Sequence, residues 1–388
     1  MIRLKAFLIS IILVLITLVI LDKTYIKKIE DYYKVNDNSV RYSTSYEKYK
    51  SKDIILENMT PKTLLLLGSS ELTTTINEDY HPKKIFNYND FNIMQVGVGN
   101  SQNIIHAATI GSIGNDVANN QIVMIQSIQW FDNKNGILKD AFLSRISSEH
   151  VYNTMANDRI SKETKEKFIN RVIELSATNK ELSKKYRSYK RYFLKERGNF
   201  FTGTFLKIDN YVFSLKNKYN FYKNKGRENY PSSGDVTPNY NWDELDKKVT
   251  EEAKERTNNN DYQIDNTYYD KYIRSKYDQL KNSSKNAKYD DAKEYEDLDI
   301  FLSIVKDLGL NIKFAILPAH GRWSDYTGID SSKREVVYKK LKEIASKNNI
   351  EVMDYSGKEY EDYYMYDAMH LGWRGWIDFE RDLYKLKK

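Results

Sequence analysis

The sequence predicts an α/β fold: a doubly wound parallel sheet of about five strands with a helical insertion, preceded by one N-terminal transmembrane helix. Three observations support this prediction. Short apolar runs alternate with helix-like stretches, the pattern of a parallel sheet covered on both faces. The stretch between the third and fourth runs, residues 131–310, is more polar and largely helix-like. The first 28 residues contain a long apolar run.

The apolar run at the N-terminus predicts a membrane anchor at residues 1–28. Ala6 to Leu21 is apolar apart from Ser10 and Thr17. At ~1.5 Å per residue it spans about 24 Å, slightly less than a ~30 Å hydrocarbon core, and flanking lysines can snorkel to close the gap. No small-residue cleavage site follows. We therefore expect an uncleaved, single-pass anchor in the cell membrane with the catalytic domain outside, although lysines on both sides weaken the orientation signal.

Five apolar segments predict the strands, and helical patterns separate them. A polar connector at 29–60 precedes the outer domain, 61–388. The predicted strands are TLLLL (63–67), NIMQVGV (92–98), QIVMIQSIQW (121–130), NIKFAILP (311–318) and IEVMDYS (350–356). An amphipathic helix at 331–347 and a final helix after His370 complete the alternation.

The region between the third and fourth strands predicts a helical insertion at about 133–296 rather than a second α/β domain. Residues 160–200 have helical character, whereas residues 222–262 are polar and predict a loop. Residues 290–310 form an amphipathic pattern that ends at Gly309, a typical helix terminator.

Composition excludes several classes of function. The 388 residues include no cysteine, which rules out disulfides, thiolate nucleophiles and cysteine-based metal sites. The five histidines lack metal-ligand spacing, so we expect no metal and no cofactor. The net charge is +7, with lysines dispersed among acidic residues and no nucleic-acid-binding motif, so no nucleic-acid partner is expected. The positive excess favours an anionic partner such as lipid headgroups or a polyphosphate polymer.

The first predicted strand ends on Gly-Ser-Ser-Glu, at the edge of the sheet where catalytic groups collect. A serine at this point is exposed, and a helix beginning at Glu71 would favour a developing oxyanion. The alternative is that Ser69 or Ser70 only caps that helix.

A base for the serine is available near the C-terminus. Asp367 and His370 stand three residues apart, between the last strand and the last helix. A serine nucleophile needs a general base, and the base needs a group that fixes its tautomer. The alternative is that His370 caps the final helix and Asp367 is a turn residue.

Taken together, these two motifs resemble the layout of the SGNH (GDSL-type) hydrolase fold. In that fold the third position of the Gly-x-Ser turn carries the nucleophile, which favours Ser70 over Ser69. After the second strand, the backbone N–H of Gly99 matches an oxyanion donor. After the third strand the fold usually carries an asparagine; here Gln129, or less favourably Ser127, stands in that region.

Six longer motifs are spread along the chain: GSSEL (68–72), VGVGNSQN (96–103), QSIQWFD (126–132), FLSRISSEHVY (142–152), ILPAHGRWSDYTG (316–328) and YDAMHLGWRGW (366–376). Together they resemble the DltD family of Gram-positive bacteria over nearly the whole chain, most weakly at 200–265. In that family an asparagine commonly stands where His320 lies, so His320 is not expected to be catalytic, and Ser324 stands where a tyrosine is found.

The resemblance implies D-alanylation of teichoic or lipoteichoic acid outside the membrane by a serine-dependent acyl transfer. It implies Ser70 as the nucleophile, His370 as the base and Asp367 as its orienting partner. The implied partners are the polymer, a membrane-bound O-acyltransferase, a D-alanyl carrier protein and the bilayer. A cell-surface esterase or thioesterase using the same residues, and a non-catalytic assembly factor, remain as alternatives.

Three further residues are candidate substrate contacts. Glu71 can bind the D-alanyl ammonium, although a first-turn glutamate also suits the helix dipole. Trp130 and Trp373 can line an acyl or polymer groove, with packing in the core or at the membrane interface as the alternative. His106 is expected on a packed helix face.

Overall fold

The computed structural model describes residues 2–34, 38–73, 80–117, 121–194, 200–225 and 229–387. A five-stranded, fully parallel sheet forms its centre, in the order β2-β1-β3-β4-β5. The chain winds outward in both directions from β1, so the predicted doubly wound α/β fold is confirmed. The strands are β1 (Thr63–Leu67), β2 (Asn92–Val96), β3 (Ile122–Gln126), β4 (Ile312–Ile316) and β5 (Glu351–Asp354).

Helices cover both faces of the sheet and form the N-terminal segment. In chain order they are α1 (Ile2–Leu21), α2 (Lys27–Lys34), α3 (Lys52–Glu57), α4 (Pro82–Ile85), α5 (Asn103–Ile113), α6 (Lys139–Arg145), α7 (Ser148–Ala156), α8 (Lys162–Leu175), α9 (Lys180–Phe193), α10 (Phe200–Lys225), α11 (Trp242–Arg256), α12 (Asn266–Tyr268), α13 (Tyr277–Leu280), α14 (Glu294–Leu308), α15 (Gly321–Thr327), α16 (Ser331–Lys347) and α17 (Trp373–Tyr384).

Strand β1 is leucine-rich because both of its faces are covered. Leu65 and Leu67 pack with α5 and α14 on one face, and Leu64 and Leu66 pack with α17 on the other. Burying each of these side chains contributes about 1.5–3 kcal/mol. The strand that carries the candidate serine is therefore among the most firmly packed parts of the sheet.

The insertion helices pack on both faces of the sheet. Helices α7 and α14 bury α5 against one face, and α11 packs on α17 at the other. Residues 222–262 were predicted to be a loop, and this prediction was wrong, because α11 occupies residues 242–256. Its sequence is polar because Val249 and Ala253 are the buried positions among mostly solvated ones, and Asn241 caps its N-terminus.

The predicted helices at the end of the insertion and before β5 are confirmed. Helix α14 ends where Gly309 adopts a left-handed conformation (φ +65°), and α16 has the predicted bounds. Strand β1 has the predicted bounds, whereas the other four strands are shorter than predicted. The chain turns away at Gly97 after β2, and after β3 it enters a 3₁₀ turn at Ile128–Phe131. These shortened ends become loops at the carboxyl edge of the sheet.

The N-terminal segment is a long helix that docks on the domain. Ile9–Ile29 is, within the part of the chain described, the helical stretch long and apolar enough to cross a membrane. Helices α1 and α2 are joined by a π-helical turn at Asp22–Ile26. Beyond this stretch the chain packs on the outer domain: the carbonyl of Arg41 accepts a hydrogen bond from the backbone of Gln95 in β2 at 3.2 Å.

Candidate active site

Two glycines allow the ends of β1 and β2 to approach each other. Gly97 has φ +143°, and a Cβ atom placed there would lie 1.8 Å from the carbonyl oxygen of Gly68. No other residue fits that backbone conformation at that distance. The loops after the two strands therefore start side by side.

The chain after Gly68 forms a single 3₁₀ turn over Ser70–Leu72, not the helix predicted from Glu71. The backbone N–H of Thr73 donates to the carbonyl of Ser70 at 3.0 Å, a spacing of three residues. Thr73, the last described residue of this segment, is β-branched, which disfavours a helix.

The two serines of this turn have different environments. Ser69 is 2% exposed, and its hydroxyl donates to the carbonyl of Val98 at 3.3 Å. Ser70 is partly exposed, and its Oγ atom lies 2.9 Å from Nε2 of His370. Of the two, Ser70 is the one with both solvent access and a base within hydrogen-bond distance.

Asp367 holds His370 in one orientation. Its Oδ2 atom lies 2.8 Å from Nδ1 of His370. Its Oδ1 atom accepts the backbone N–H groups of Met369 and His370 at 2.8 and 2.9 Å. Because the carboxylate accepts the Nδ1 proton, the lone pair on Nε2 faces the hydroxyl of Ser70.

The surroundings of His370 stabilise its protonated form. Burial alone lowers the pKa of an imidazole, but the hydrogen bond to Asp367 and the charges of Asp367 and Glu71 outweigh burial and raise the pKa of His370 above its ordinary value. An imidazolium formed when His370 accepts a proton is therefore favoured at this position.

Glu71 is buried in the turn. Its Oε1 atom accepts the backbone N–H of Ser69 at 2.7 Å. Burial raises the pKa of its carboxyl group, and the hydrogen bond and the neighbouring His370 offset part of that increase. The residue holds the turn, and it does not belong to the described lining of the adjacent cleft.

A cleft of about 240 Å³ lies beside Ser70. Its walls come from the loop after β1, from residues 100–102 after β2 and from residues 129–138 after β3. Gln129 and Trp130 line it, although only 3% of Trp130 is exposed. Gly99 is adjacent, since a Cβ atom at Gly99 would lie 3.7 Å from the Cβ of Ser70. The strand ends thus bring together the candidate nucleophile, both candidate oxyanion donors and one candidate contact residue.

The supporting contacts of two residues were not foreseen, although His106 lies on a packed helix face, as predicted. Arg145 of α6 donates from Nε to the carbonyl of Gly99 at 2.6 Å. Burial lowers the pKa of His106 to about 4, so its imidazole is neutral, and Nε2 donates to the carbonyl of Gly68 at 3.0 Å. Its ring also stacks on Trp130. Each acts on a backbone carbonyl through a long-range contact, which leaves no local signal in the sequence.

Two other singled-out residues do not belong to the described lining of the cleft. Trp373 is 1% exposed and packs with Tyr80, Val249 and Ile377 in a core cluster, so it offers no surface to a substrate. His320 caps α15 by accepting the N–H of Trp323 on Nδ1, and burial lowers its pKa to about 4. Among the described residues, no group of three or more acidic or histidine side chains has the arrangement of a metal site.

Comparisons with known proteins show the family of the chain. The model of the DltD protein family matches residues 41–388. Protein DltD of Bacillus subtilis (strain 168) is 31% identical over 341 residues, which cover 84% of each chain. Protein DltD of Staphylococcus aureus (strain NCTC 8325 / PS 47) is 26% identical over 83% of this chain and 80% of its own. Protein DltD of Lacticaseibacillus rhamnosus is 24% identical over 87% of this chain and 81% of its own. The chain belongs to the DltD family.

Proposed function

We propose that this chain performs serine-dependent acyl transfer in the D-alanylation of teichoic acids, the process in which the DltD family acts. One observation carries the proposal. Ser70, His370 and Asp367 form a continuous hydrogen-bonded relay, 2.9 and 2.8 Å between successive atoms, at the carboxyl edge of the sheet. This is the arrangement that an activated serine requires.

The first half-reaction would form an acyl-enzyme. As the Oγ atom of Ser70 attacks the D-alanyl carbonyl of an activated donor, its proton passes to Nε2 of His370. The bond between the carbonyl carbon and the donor's oxygen or sulfur breaks, and that atom leaves with the proton from His370. Asp367 keeps the imidazole oriented and stabilises its charge throughout.

The second half-reaction would release the D-alanyl group to a hydroxyl of the polymer. His370 removes the hydroxyl proton, the polymer oxygen attacks the ester carbonyl, and Ser70 leaves with the proton. Water in place of the polyol gives hydrolysis by the same steps. Transfer therefore depends on holding the hydroxyl at a high effective concentration and on excluding water.

The oxyanion of each tetrahedral intermediate would be stabilised by the backbone N–H groups of Ser70 and Gly99 and by the amide of Gln129. Gly99 adjoins Ser70, and Gln129 lines the same cleft. Preorganised donors of this kind usually account for a large share of the rate enhancement in acyl transfer. The hydrogen bond from Arg145 to the Gly99 carbonyl would help to hold that loop in place.

The apolar N-terminal helix fits a membrane anchor. We assign residues 1–28 to the anchor, 29–60 to a connector and 61–388 to a domain outside the membrane, with the insertion at about 133–296. A membrane-bound O-acyltransferase and a D-alanyl carrier protein are proposed as partners, because they would supply the activated acyl group.

The test is the D-alanine ester content of walls from cells that carry Ser70→Ala, Ser69→Ala or the unchanged chain at matched expression. A loss of D-alanine esters in the Ser70→Ala strain, but not in the Ser69→Ala strain, supports the proposal. Normal ester content with Ser70→Ala contradicts it and favours a non-catalytic assembly factor. Turnover of small esters by the purified full-length chain, without accumulation of acylated polyol when glycerol is added, would instead indicate an esterase or thioesterase.

A further inference from the structure

The cleft beside Ser70 contains an acidic side chain to which no role has been assigned. Asp132 follows the turn at Ile128–Phe131 and, among the described residues lining the cleft, is the ionisable one. It lies at the exposed rim, and partial burial of its carboxyl raises its pKa. No cation lies within ion-pair distance of it in the part of the chain described; nearby Lys134 pairs with Asp291 at 3.2 Å.

We propose that Asp132 binds the α-ammonium group of the D-alanyl substrate while Ser70 attacks its carbonyl. This inference rests on the proposed function. In an aminoacyl ester the ammonium nitrogen is two bonds from the attacked carbonyl carbon, so its binding group must share the small cleft with the nucleophile. A carboxylate in the cleft without a cation partner gains a charge-assisted hydrogen bond when the ammonium enters.

Glu71, the alternative carboxylate, is less suited to this role. It is buried, its Oε1 atom is engaged by the backbone N–H of Ser69, and it does not belong to the described lining of the cleft. The amide side chains around the cleft are neutral and recognise an ammonium more weakly than a carboxylate does. Asp132 therefore combines the required charge with the required position.

Binding to the full-length Ser70→Ala chain tests the inference without turnover. The probes are D-alanyl-glycerol and propionyl-glycerol, which have the same acyl skeleton and differ by the ammonium group. Adding Asp132→Asn should weaken binding of D-alanyl-glycerol by roughly 10- to 100-fold, the range for a hydrogen-bonded charge, and remove the preference over propionyl-glycerol. Asp132→Glu should restore part of that preference.

The matched control is Asp140→Asn, an exposed acid on α6 outside the cleft, which should keep the preference. An unchanged preference with Asp132→Asn overturns the inference, and so does an equal loss of affinity for both probes. The proposed function is judged separately, by the wall esters of the Ser70→Ala strain, so the two failures can be told apart.

A second inference comes from a different part of the molecule, the outer face of α10. Phe205, Val212 and Tyr219 are 67%, 40% and 36% exposed and recur every seven residues. At about 100° per residue this spacing places them on one face, where Lys216 and Lys223 also lie exposed. Exposed apolar residues flanked by lysines are typical of helices that lie on a membrane surface.

The position of α10 relative to the anchor supports a membrane contact. Its inner residues Leu215, Phe221 and Tyr222 pack in a cluster with Leu18 and Ile29 of the apolar N-terminal stretch. Leu18 lies near the middle and Ile29 at the end of the stretch that could cross a bilayer, so α10 packs beside the half of that stretch from which the chain would leave it. We infer that the outer face of α10 contacts the lipid bilayer that holds the anchor.

Because the chain lacks cysteine, single cysteines can be labelled selectively. Spin labels at Phe205→Cys and Val212→Cys would be compared with Val336→Cys, which is 41% exposed on α16, a helix that packs on β4 and β5. The full-length protein would be reconstituted in phosphatidylcholine vesicles with phosphatidylglycerol. For each label, its accessibility to oxygen is divided by its accessibility to a water-soluble nickel complex. This ratio should be at least about threefold higher for the labels on α10 than for the control label.

Equal ratios at the three positions overturn the membrane contact. Labels on α10 that lose both oxygen and nickel access in native membranes, but not in purified vesicles, would also overturn it and indicate a protein partner on this face. Lys216→Glu with Lys223→Glu should lower the oxygen accessibility of the Val212→Cys label in phosphatidylglycerol-containing vesicles.

Discussion

The Nε2 atom of His370 lies 2.9 Å from the Oγ atom of Ser70, across a separation of 300 residues in the sequence. Ser70 follows β1, and His370 follows β5, which lies at the far edge of the sheet beyond β3 and β4. The loop between β5 and α17 must therefore return across the carboxyl edge of the sheet. Helix α17 fixes its far end by packing against Leu64 and Leu66 of β1.

Replacing Asp367 should remove most activity without unfolding the protein. Asp367→Asn can no longer hold the proton on Nδ1 of His370, so the rate of D-alanyl ester formation in membranes should fall by roughly 10³- to 10⁴-fold. Asp362→Asn is the control, because that exposed carboxylate pairs with Arg322 instead. If the Asp367→Asn protein keeps its thermal midpoint and its full rate, the relay has no catalytic role.

The rate should depend on pH through His370. His370 acts as a base in its neutral form, so kcat/KM should fall when acidification protonates it. Because the pKa of His370 is raised, this fall, the acid limb of the pH profile, should occur at a pH above the ~6.5 at which a free imidazole titrates. Glu71→Gln removes a negative charge that raises this pKa, so the limb should move to lower pH. A limb that moves to higher pH, or stays in place, would contradict the electrostatic coupling between Glu71 and His370.

The close approach of the chain after β1 to the chain after β2 should tolerate no side chain at Gly97. Gly97→Ala places a methyl group against the carbonyl of Gly68 in a strained backbone conformation, and the free energy of unfolding should drop by at least about 2 kcal/mol. Gly357→Ala is the comparison, since its added Cβ would have no neighbour within 4 Å. It should change stability by less than about 0.5 kcal/mol. Chemical denaturation of the two variants checks both values.

A buried ion pair behind the cleft should be important for stability. Arg171 donates from Nε and Nη2 to Asp297 at 2.7 and 3.0 Å, next to Gly136 in the cleft wall. Arg171→Met leaves the buried carboxylate without its partner and should cost about 3–5 kcal/mol. Arg274→Met breaks an exposed pair with Asp270 and should cost at most about 1 kcal/mol. Equal decreases in the free energy of unfolding of the two variants would show that the buried pair contributes no more to stability than the exposed one.

Much of the fold could be predicted because its strands are short and mostly apolar, and because Gly68, Gly97 and Pro318 closely follow β1, β2 and β4. The leucines of β1 need cover on both faces, which in itself indicates a parallel sheet. Helix α11 was missed for the opposite reason. Most of its residues are solvated, so its two buried positions do not make a recognisable period.

The candidate site could be predicted only in part from the sequence. Ser70 follows a strand, Asp367 and His370 precede the last helix, each in a recognisable local motif, and the structure brings them together. The contacts of Arg145 with Gly99 and of His106 with Gly68 join distant segments through backbone carbonyls, which any residue supplies. Trp373 could not be placed from sequence, because a tryptophan packs equally well in a core or along a groove.

The packing of α10 against the end of the N-terminal helix also sets how far the cleft can reach. Had a free linker joined the anchor to the domain, the cleft would sweep through a volume that grows with linker length. Packing among Ile26, Leu215 and Phe221 instead holds the cleft at one distance from the N-terminal helix. In the proposed transfer, a long polymer would be modified only where its units pass the cleft at that distance. The pattern of modification along the polymer would therefore depend on how the polymer moves.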